Sequence, residues 1–165
     1  VPALVLRRAT EADIPFIMET ERKPGYDQFI GRYGVEEHLA QLANPAFAYL
    51  IGEDSEGTPL GFVILMDLNR RDGNACVKRI AVASPEKGMG TPLLTGAVDF
   101  AFLETNAHRL WLDVVSGNLR AQTVYRKVGF IQEGVLREAA LMPDGSRSDF
   151  FLMSILRPEW AARRG

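Results

Sequence analysis

Gly88 and Gly90 stand one residue apart, just ahead of a strongly apolar stretch at residues 93–105. Two glycines before a buried helix let successive backbone N–H groups converge at the positive end of the helix dipole, an arrangement that holds phosphate. Glycine permits the close approach and the positive φ values that a side chain would block. Lys87 adds a point charge beside them. The loop is not a Walker loop, which needs Gly-Lys-Ser/Thr where this chain has Gly90-Thr91-Pro92. Nor is it a dinucleotide fingerprint, because Leu93 occupies the third glycine's place. Taken alone, Gly-x-Gly is equally a tight turn, so these residues leave the ligand open.

A second group lies downstream. After an apolar run at residues 110–115 comes Asn118, and Ala121, Val124, Tyr125 and Val128 then recur at helical intervals until Gly129-Phe130. Tyr125 lies on the helix's own apolar stripe, a spacing that suits a core aromatic. Asp113 shares a strand face with Trp111 and Val115, where a carboxylate can serve as a base or as a hydrogen-bonded structural group. Glu21 and Glu138 are further acidic candidates. His38 and His108 have no ligand-spaced partners and read as surface or helix-end residues. Cys76 reads as a small buried residue rather than a nucleophile. Lys78 and Arg79 read as solvated charges, and Trp160 as packing on the domain or on a partner.

Elements must position these groups. Residues 4–6 form a strand, and Thr10 caps a helix whose third position is Asp13. Residues 23–34 are a broken, aromatic-rich segment with Pro24, Gly25, Gly31 and Gly34 among Tyr26, Phe29, Ile30 and Tyr33, followed by a helix at 35–43. Strands follow at 47–51, 60–66, 76–82 and 110–115, the last flanked by helices at 93–105 and 119–128, and the chain closes with strands at 130–133 and 149–156. Thr91 as cap with Pro92 at the first helical position sets the start of the first of those two helices. The order predicts one mixed α/β domain, α+β in character, over residues 1–165.

Composition narrows the function. The chain has 165 residues, a net charge of -2 and 47% apolar residues, an ordinary globular balance without general attraction to nucleic acid or membrane. No apolar run reaches the length of a membrane span. A single cysteine excludes an internal disulfide and a cysteine metal cage, which points to the cytoplasm.

Taken together, Gly88-x-Gly90, Asn118, Ala121, Tyr125 and Gly129-Phe130 resemble the acetyl-CoA-binding core of the GNAT N-acetyltransferase superfamily. Glu133-Gly134-Val135-Leu136-Arg137-Glu138, with Asp144-Gly145 and Asp149, is similar to the ribosomal-protein alanine (RimJ/RimL-like) branch. The resemblance implies a central, mostly antiparallel twisted sheet with splayed strands, flanked by helices. It implies that acetyl-CoA is the co-substrate and that no metal is needed. Lys87, Gly88, Met89, Gly90 and Thr91 would seat the diphosphate; Ile80, Ala81 and Val82 would pair with the pantetheine arm; Asn118 and Tyr125 would complete the cofactor site. Where the family pattern carries Gln or Arg ahead of the first glycine this chain has Pro85, so the grip rests on Lys87 and the amides of Gly88 and Gly90. Tyr125 would be the acid and Asp113 the base. The acceptor would be a small amine or a protein N-terminus, and look-alike enzymes are commonly homodimers. A non-catalytic acyl-CoA sensor and a nucleotide-phosphate-binding domain are the competing readings.

Overall fold

The computed structural model describes residues 4–23 and 33–164. In chain order its elements are β1 (Val5–Arg8), α1 (Ile14–Glu21), α2 (Val35–Leu42), β2 (Ala48–Glu53), β3 (Pro59–Met66), β4 (Asn74–Val82), α3 (Gly90–Glu104), β5 (Arg109–Val115), α4 (Leu119–Val128), β6 (Ile131–Leu141), β7 (Arg147–Leu156) and α5 (Arg157–Arg164). The strands form one sheet in the order β1-β2-β3-β4-β5-β7-β6. Every neighbouring pair is antiparallel except β4 and β5, which are parallel. This is the mixed, mostly antiparallel α/β architecture expected.

The sheet is buried on two faces. Leu50, Val63, Leu65, Val77, Leu110, Leu112 and Met153 pack with Leu93, Leu94, Ala97 and Phe102 of α3. On the other face Tyr49, Ile51, Phe62, Ile64 and Ala81 pack with Ile17 of α1. Strands β2 and β3 contribute to both clusters, which is why they read as continuous apolar runs rather than alternating ones. Leu93 reaches Gly61, where an added Cβ would come within 2.7 Å of the Ala81 carbonyl oxygen and 2.9 Å of Leu93. Bare backbone there lets the first turn of α3 lie close against β3 and β4.

Several boundaries differ from expectation. Helix α3 opens at Gly90 with Met89 as its cap, so Thr91 is not the cap; the Thr91 carbonyl instead accepts the Thr95 hydroxyl at 2.8 Å. Pro92 falls in the first turn, where its missing N–H would have had no helical partner. A 3-10 turn, Glu11–Asp13, precedes α1. Asp13 accepts the Thr10 N–H at 2.8 Å and the Arg7 guanidinium at 2.8 Å, tying β1 to α1. Strands β6 and β7 form a longer hairpin than their apolar residues suggest, with an irregular register between Leu136 and Ala140.

Helix α5 was not foreseen, because its polar sequence carries no apolar stripe. Arg157 at its start donates to the carbonyls of Phe102 (2.7 Å), Thr105 (2.9 Å) and Ala107 (2.9 Å), closing the carboxyl end of α3. Trp160 packs on Phe102 at 5.2 Å between ring centroids and donates to Asp99 at 2.8 Å.

Candidate active site

The parallel pairing of β4 with β5 is short. It joins Asn74, Ala75 and Cys76 to Arg109, Leu110 and Trp111 and then stops. Beyond it β4 runs on to Val82 in register with β3, and β5 runs on to Val115 in register with β7. Two neighbouring strands therefore diverge toward their carboxyl ends, leaving a wedge between two inward-facing rows of backbone polar groups.

Which residues face the wedge follows from the ladder. The Ala83 N–H donates to the Leu60 carbonyl at 2.8 Å, so Ala81 and Arg79, two and four residues back, also turn their N–H and C=O toward β3. Ile80 and Val82 turn theirs into the wedge. On the opposite strand the Ser116 N–H donates to the Asp149 carbonyl at 2.9 Å, so Asp113 and Val115 face the wedge by the same alternation. Of the three β4 residues expected to meet the pantetheine arm, Ile80 and Val82 turn their backbone toward the wedge. Ala81 is committed to β3, with its side chain in the core.

The glycine loop lies at the open end of the wedge. Pro85–Lys87 form a 3-10 turn in which the Lys87 N–H bonds the Ser84 carbonyl at 3.1 Å. Gly88 follows with φ 70 and ψ 19, the left-handed region that favours glycine. The N–H groups of Gly88, Met89, Gly90 and Thr91 donate to no acceptor among the described residues. They form a row of donors at the positive end of a 15-residue helix. Lys87 is exposed beside them, while the Met89 side chain is buried in the core, so Met89 contributes backbone only. Counted from the glycine that opens the helix, the residue three places back is the cation Lys87 rather than Pro85.

Helix α4 completes the neighbourhood. Asn118 caps it by accepting the Ala121 N–H at 3.2 Å, which leaves the Asn118 amide nitrogen for a ligand. A Cβ on Gly90 would lie 3.6 Å from Val124, so the turn of α4 carrying Tyr125 stands beside the start of α3. Tyr125 is buried in the same core, its ring centroid 6.2 Å from that of Phe130. Gln122, missed in the sequence, is also buried and donates to the Ser116 carbonyl at 2.9 Å, tying α4 to the end of β5. Its only sequence signal was a polar residue beside an apolar stripe.

Asp113 reaches solvent on the sheet face opposite α3. Crowding by the surrounding strands raises its pKa above the usual carboxylate range, against the pull of Lys78. Cys76 is buried, and that burial pushes its thiol up to about 12. It is a packing residue and not a nucleophile.

Three expectations need correction. His38 is not a surface residue: it is fully buried, with Nε2 3.1 Å from Glu21 and Nδ1 2.8 Å from the Tyr49 hydroxyl. Arg79 is not a solvated charge, because its guanidinium donates to Glu21 at 2.8 Å. Glu21 is therefore not a spare base. Burial would raise its carboxyl, but the hydrogen bonds from His38 and Arg79 outweigh that and hold it low. The aromatic segment lies mostly at residues 24–32, outside the described residues; Tyr33 is described and stacks under Arg79 at 4.2 Å.

A cleft of about 750 Å³ lined by Arg8, Asn44, Leu68, Arg70 and Asn106 lies where β4 begins, at the far end of the sheet from the wedge. It has no part in this site.

Residues 14–130 match the acetyltransferase (GNAT) family. The chain belongs to that family. It is an N-acetyltransferase, and acetyl-CoA is its co-substrate. The spermidine N(1)-acetyltransferase of Vibrio cholerae is 27% identical over 97% of this chain and 96% of its own length. The putative ribosomal N-acetyltransferase YdaF of Bacillus subtilis is 26% identical over 66% of this chain and 60% of its own. Among solved structures, the Vibrio cholerae spermidine N-acetyltransferase in complex with CoA and spermine superposes with a TM-score of 0.85 at 26% identity, covering 96% of this chain and 98% of that one. The relative matching nearly the whole chain thus carries a polyamine name, and the ribosomal name belongs to a shorter match. The expected RimJ/RimL-like branch is not singled out. No helix among the described residues is long and apolar enough to cross a membrane.

Proposed function

We propose that this GNAT enzyme transfers the acetyl group from acetyl-CoA directly to a primary amine of a small molecule, with polyamines as the first acceptor class. The observation that carries the reading is the divergence of β4 from β5 after Cys76 and Trp111, ahead of four adjacent backbone donors at the start of α3. In this reading the donors and Lys87 take the diphosphate, and the pantetheine arm lies along Ile80 and Val82.

The acceptor must reach the thioester as a free amine, having lost the proton it carries near a pKa of about 10. Asp113, with its raised pKa and open carboxylate, takes that proton through water. The Ile80 N–H meets the oxyanion as the tetrahedral centre forms. Tyr125 gives its phenolic proton to the departing CoA thiolate. No covalent enzyme intermediate forms: the C–N bond is made in reaching the tetrahedral centre, the nitrogen's second proton passes through water to restore the Tyr125 phenol, and the C–S bond breaks as the centre collapses.

The polyamine class is supported by the name of the Vibrio cholerae relative and by the spermine in the solved neighbour. The test is release of free thiol from acetyl-CoA with spermidine, spermine, simple monoamines and an alanyl peptide. Release that depends on spermidine or spermine is expected. Release with the alanyl peptide alone would assign a protein N-terminus instead. Tight CoA binding with no acceptor-dependent thiol would make the chain a sensor. A homodimer belongs to the same proposal, and sedimentation velocity measures it.

A further inference from the structure

The geometry points to Glu21 as a positioning residue for acetyl transfer: its ion pair with Arg79 holds the β4 bulge in the one register that turns the Ile80 N–H into the wedge. This inference rests on the wedge being the site of transfer.

The β3–β4 ladder is not regular. Ile64 lies opposite Arg79, but Leu65 lies opposite Val77, so Lys78 is an extra residue on β4. A bulge of this kind puts two successive side chains on one side of the strand. Lys78 and Arg79 indeed lie over the same Tyr33 ring, at 5.4 and 4.2 Å. From Arg79 onward strict alternation resumes: Ile80 and Val82 pack toward α3, and Ala81 packs toward α1.

In an antiparallel strand the side-chain face and the direction of the backbone N–H alternate together. Losing the bulge, with the strand before it left in register, would flip both. Arg79 would leave the α1 face, and the Ile80 N–H would turn from the wedge to β3. Apolar packing opposes such a slip through the volume difference between Ala81 and its neighbours, but Ile80, Ala81 and Val82 are all aliphatic, so no polar group among them forbids it.

Arg79 cannot. Its side chain is only 9% exposed, and its partner carboxylate on Glu21 is fully buried. Glu21 is itself held from a second helix by His38, whose Nε2 must carry the proton because a carboxylate only accepts. His38 Nδ1 in turn lies 2.8 Å from the Tyr49 hydroxyl on β2, which is 3.0 Å from Gln41 Oε1. The anchor therefore joins α1, α2, β2 and β4, and it grips the residue immediately before the Ile80 donor. A charge left unpaired there would be costly, so the register carrying the pair is strongly preferred.

The test compares Glu21→Gln with the charge-balanced Glu21→Gln/Arg79→Met, in which Gln can still accept from His38. Residue-resolved amide exchange in the wild type should show Arg79 and Ala81 protected and Ile80 not. Both variants should lose that alternation, with Ala81 exchanging at least tenfold faster. With spermidine as acceptor, kcat should fall at least tenfold in both. The KM for acetyl-CoA should rise by a smaller factor than kcat falls, because the arm loses its run along Ile80 and Val82 while the diphosphate seat on α3 is unchanged. The double variant should regain the thermal midpoint that Glu21→Gln loses, without regaining kcat. Recovery of kcat together with stability would reduce Glu21 to a structural residue and overturn the inference, as would a wild-type exchange pattern in the double variant. If Glu21→Gln does not fold, the double variant decides. If the wild type does not use spermidine, the polyamine reading fails, and the exchange pattern still decides this one.

Discussion

The two loop glycines are there for different reasons, and replacing each by alanine separates them. Gly88 sits at φ 70 with nothing within 4 Å of an added Cβ. Alanine therefore meets no clash there, only the cost of the left-handed conformation, about 1–2 kcal/mol. For a domain of this size that lowers the thermal midpoint by roughly 2–8 °C, at about 2–4 °C per kcal/mol. Gly90 opens α3, and its Cβ would lie 3.6 Å from Val124, an ordinary contact. Alanine there should hold or raise the midpoint, since glycine is up to about 1 kcal/mol worse than alanine in a helix. Yet a methyl group beside that N–H crowds a diphosphate approaching the bare amides. Gly90→Ala should weaken CoA at least tenfold, about 1.4 kcal/mol, without loss of stability. Thermal unfolding of the free protein and calorimetric titration with CoA measure the two effects independently. A Gly90→Ala protein that binds CoA as tightly as the wild type would refute the assignment of those amides to the diphosphate. An unchanged midpoint in Gly88→Ala would refute the backbone argument.

Three further outcomes follow from the site. Tyr125→Phe keeps the ring in the core but removes the acid, so turnover followed by thiol release should fall about 100-fold or more while CoA affinity barely moves; full turnover at saturating substrate would remove Tyr125 from the chemistry. Because its pKa is raised in the folded protein, Asp113 adds stability only at low pH and loses it as pH rises through that raised value. Asp113→Asn should therefore unfold at a higher temperature than the wild type at pH 7.5, with the gap closing as the pH drops below about 4; a gap that stays constant with pH would contradict the shift. Cys76, buried and with its thiol pushed up to about 12, should resist iodoacetamide in the folded protein and react only on unfolding; rapid alkylation under native conditions would show that β4 opens locally.

What could be read in advance was local. The Gly129 end of α4 follows directly on its apolar stripe, and the strand runs of β2 and β3 announce their burial through composition. The glycine loop was legible for the same reason, since a left-handed turn before an apolar helix is written in consecutive residues. The start of α3 was misplaced by two residues because Thr91-Pro92 suits a cap as well as a first turn. Helix α5 escaped notice because Arg157 caps α3 from 52 positions away, a contact no periodicity records.

The sequence by itself determined the order of elements through β7, the glycine loop ahead of an apolar helix and the residues that could move protons, because each depends on neighbours within a turn or two. Only the tertiary structure decided that β4 leaves β5 after three paired residues, and that His38, Arg79 and Glu21 form one buried cluster. Glu21 and Arg79 lie 58 residues apart. A polar residue's pattern along the chain shows which face it occupies, whereas the partner that makes its burial tolerable comes from another segment brought there by folding.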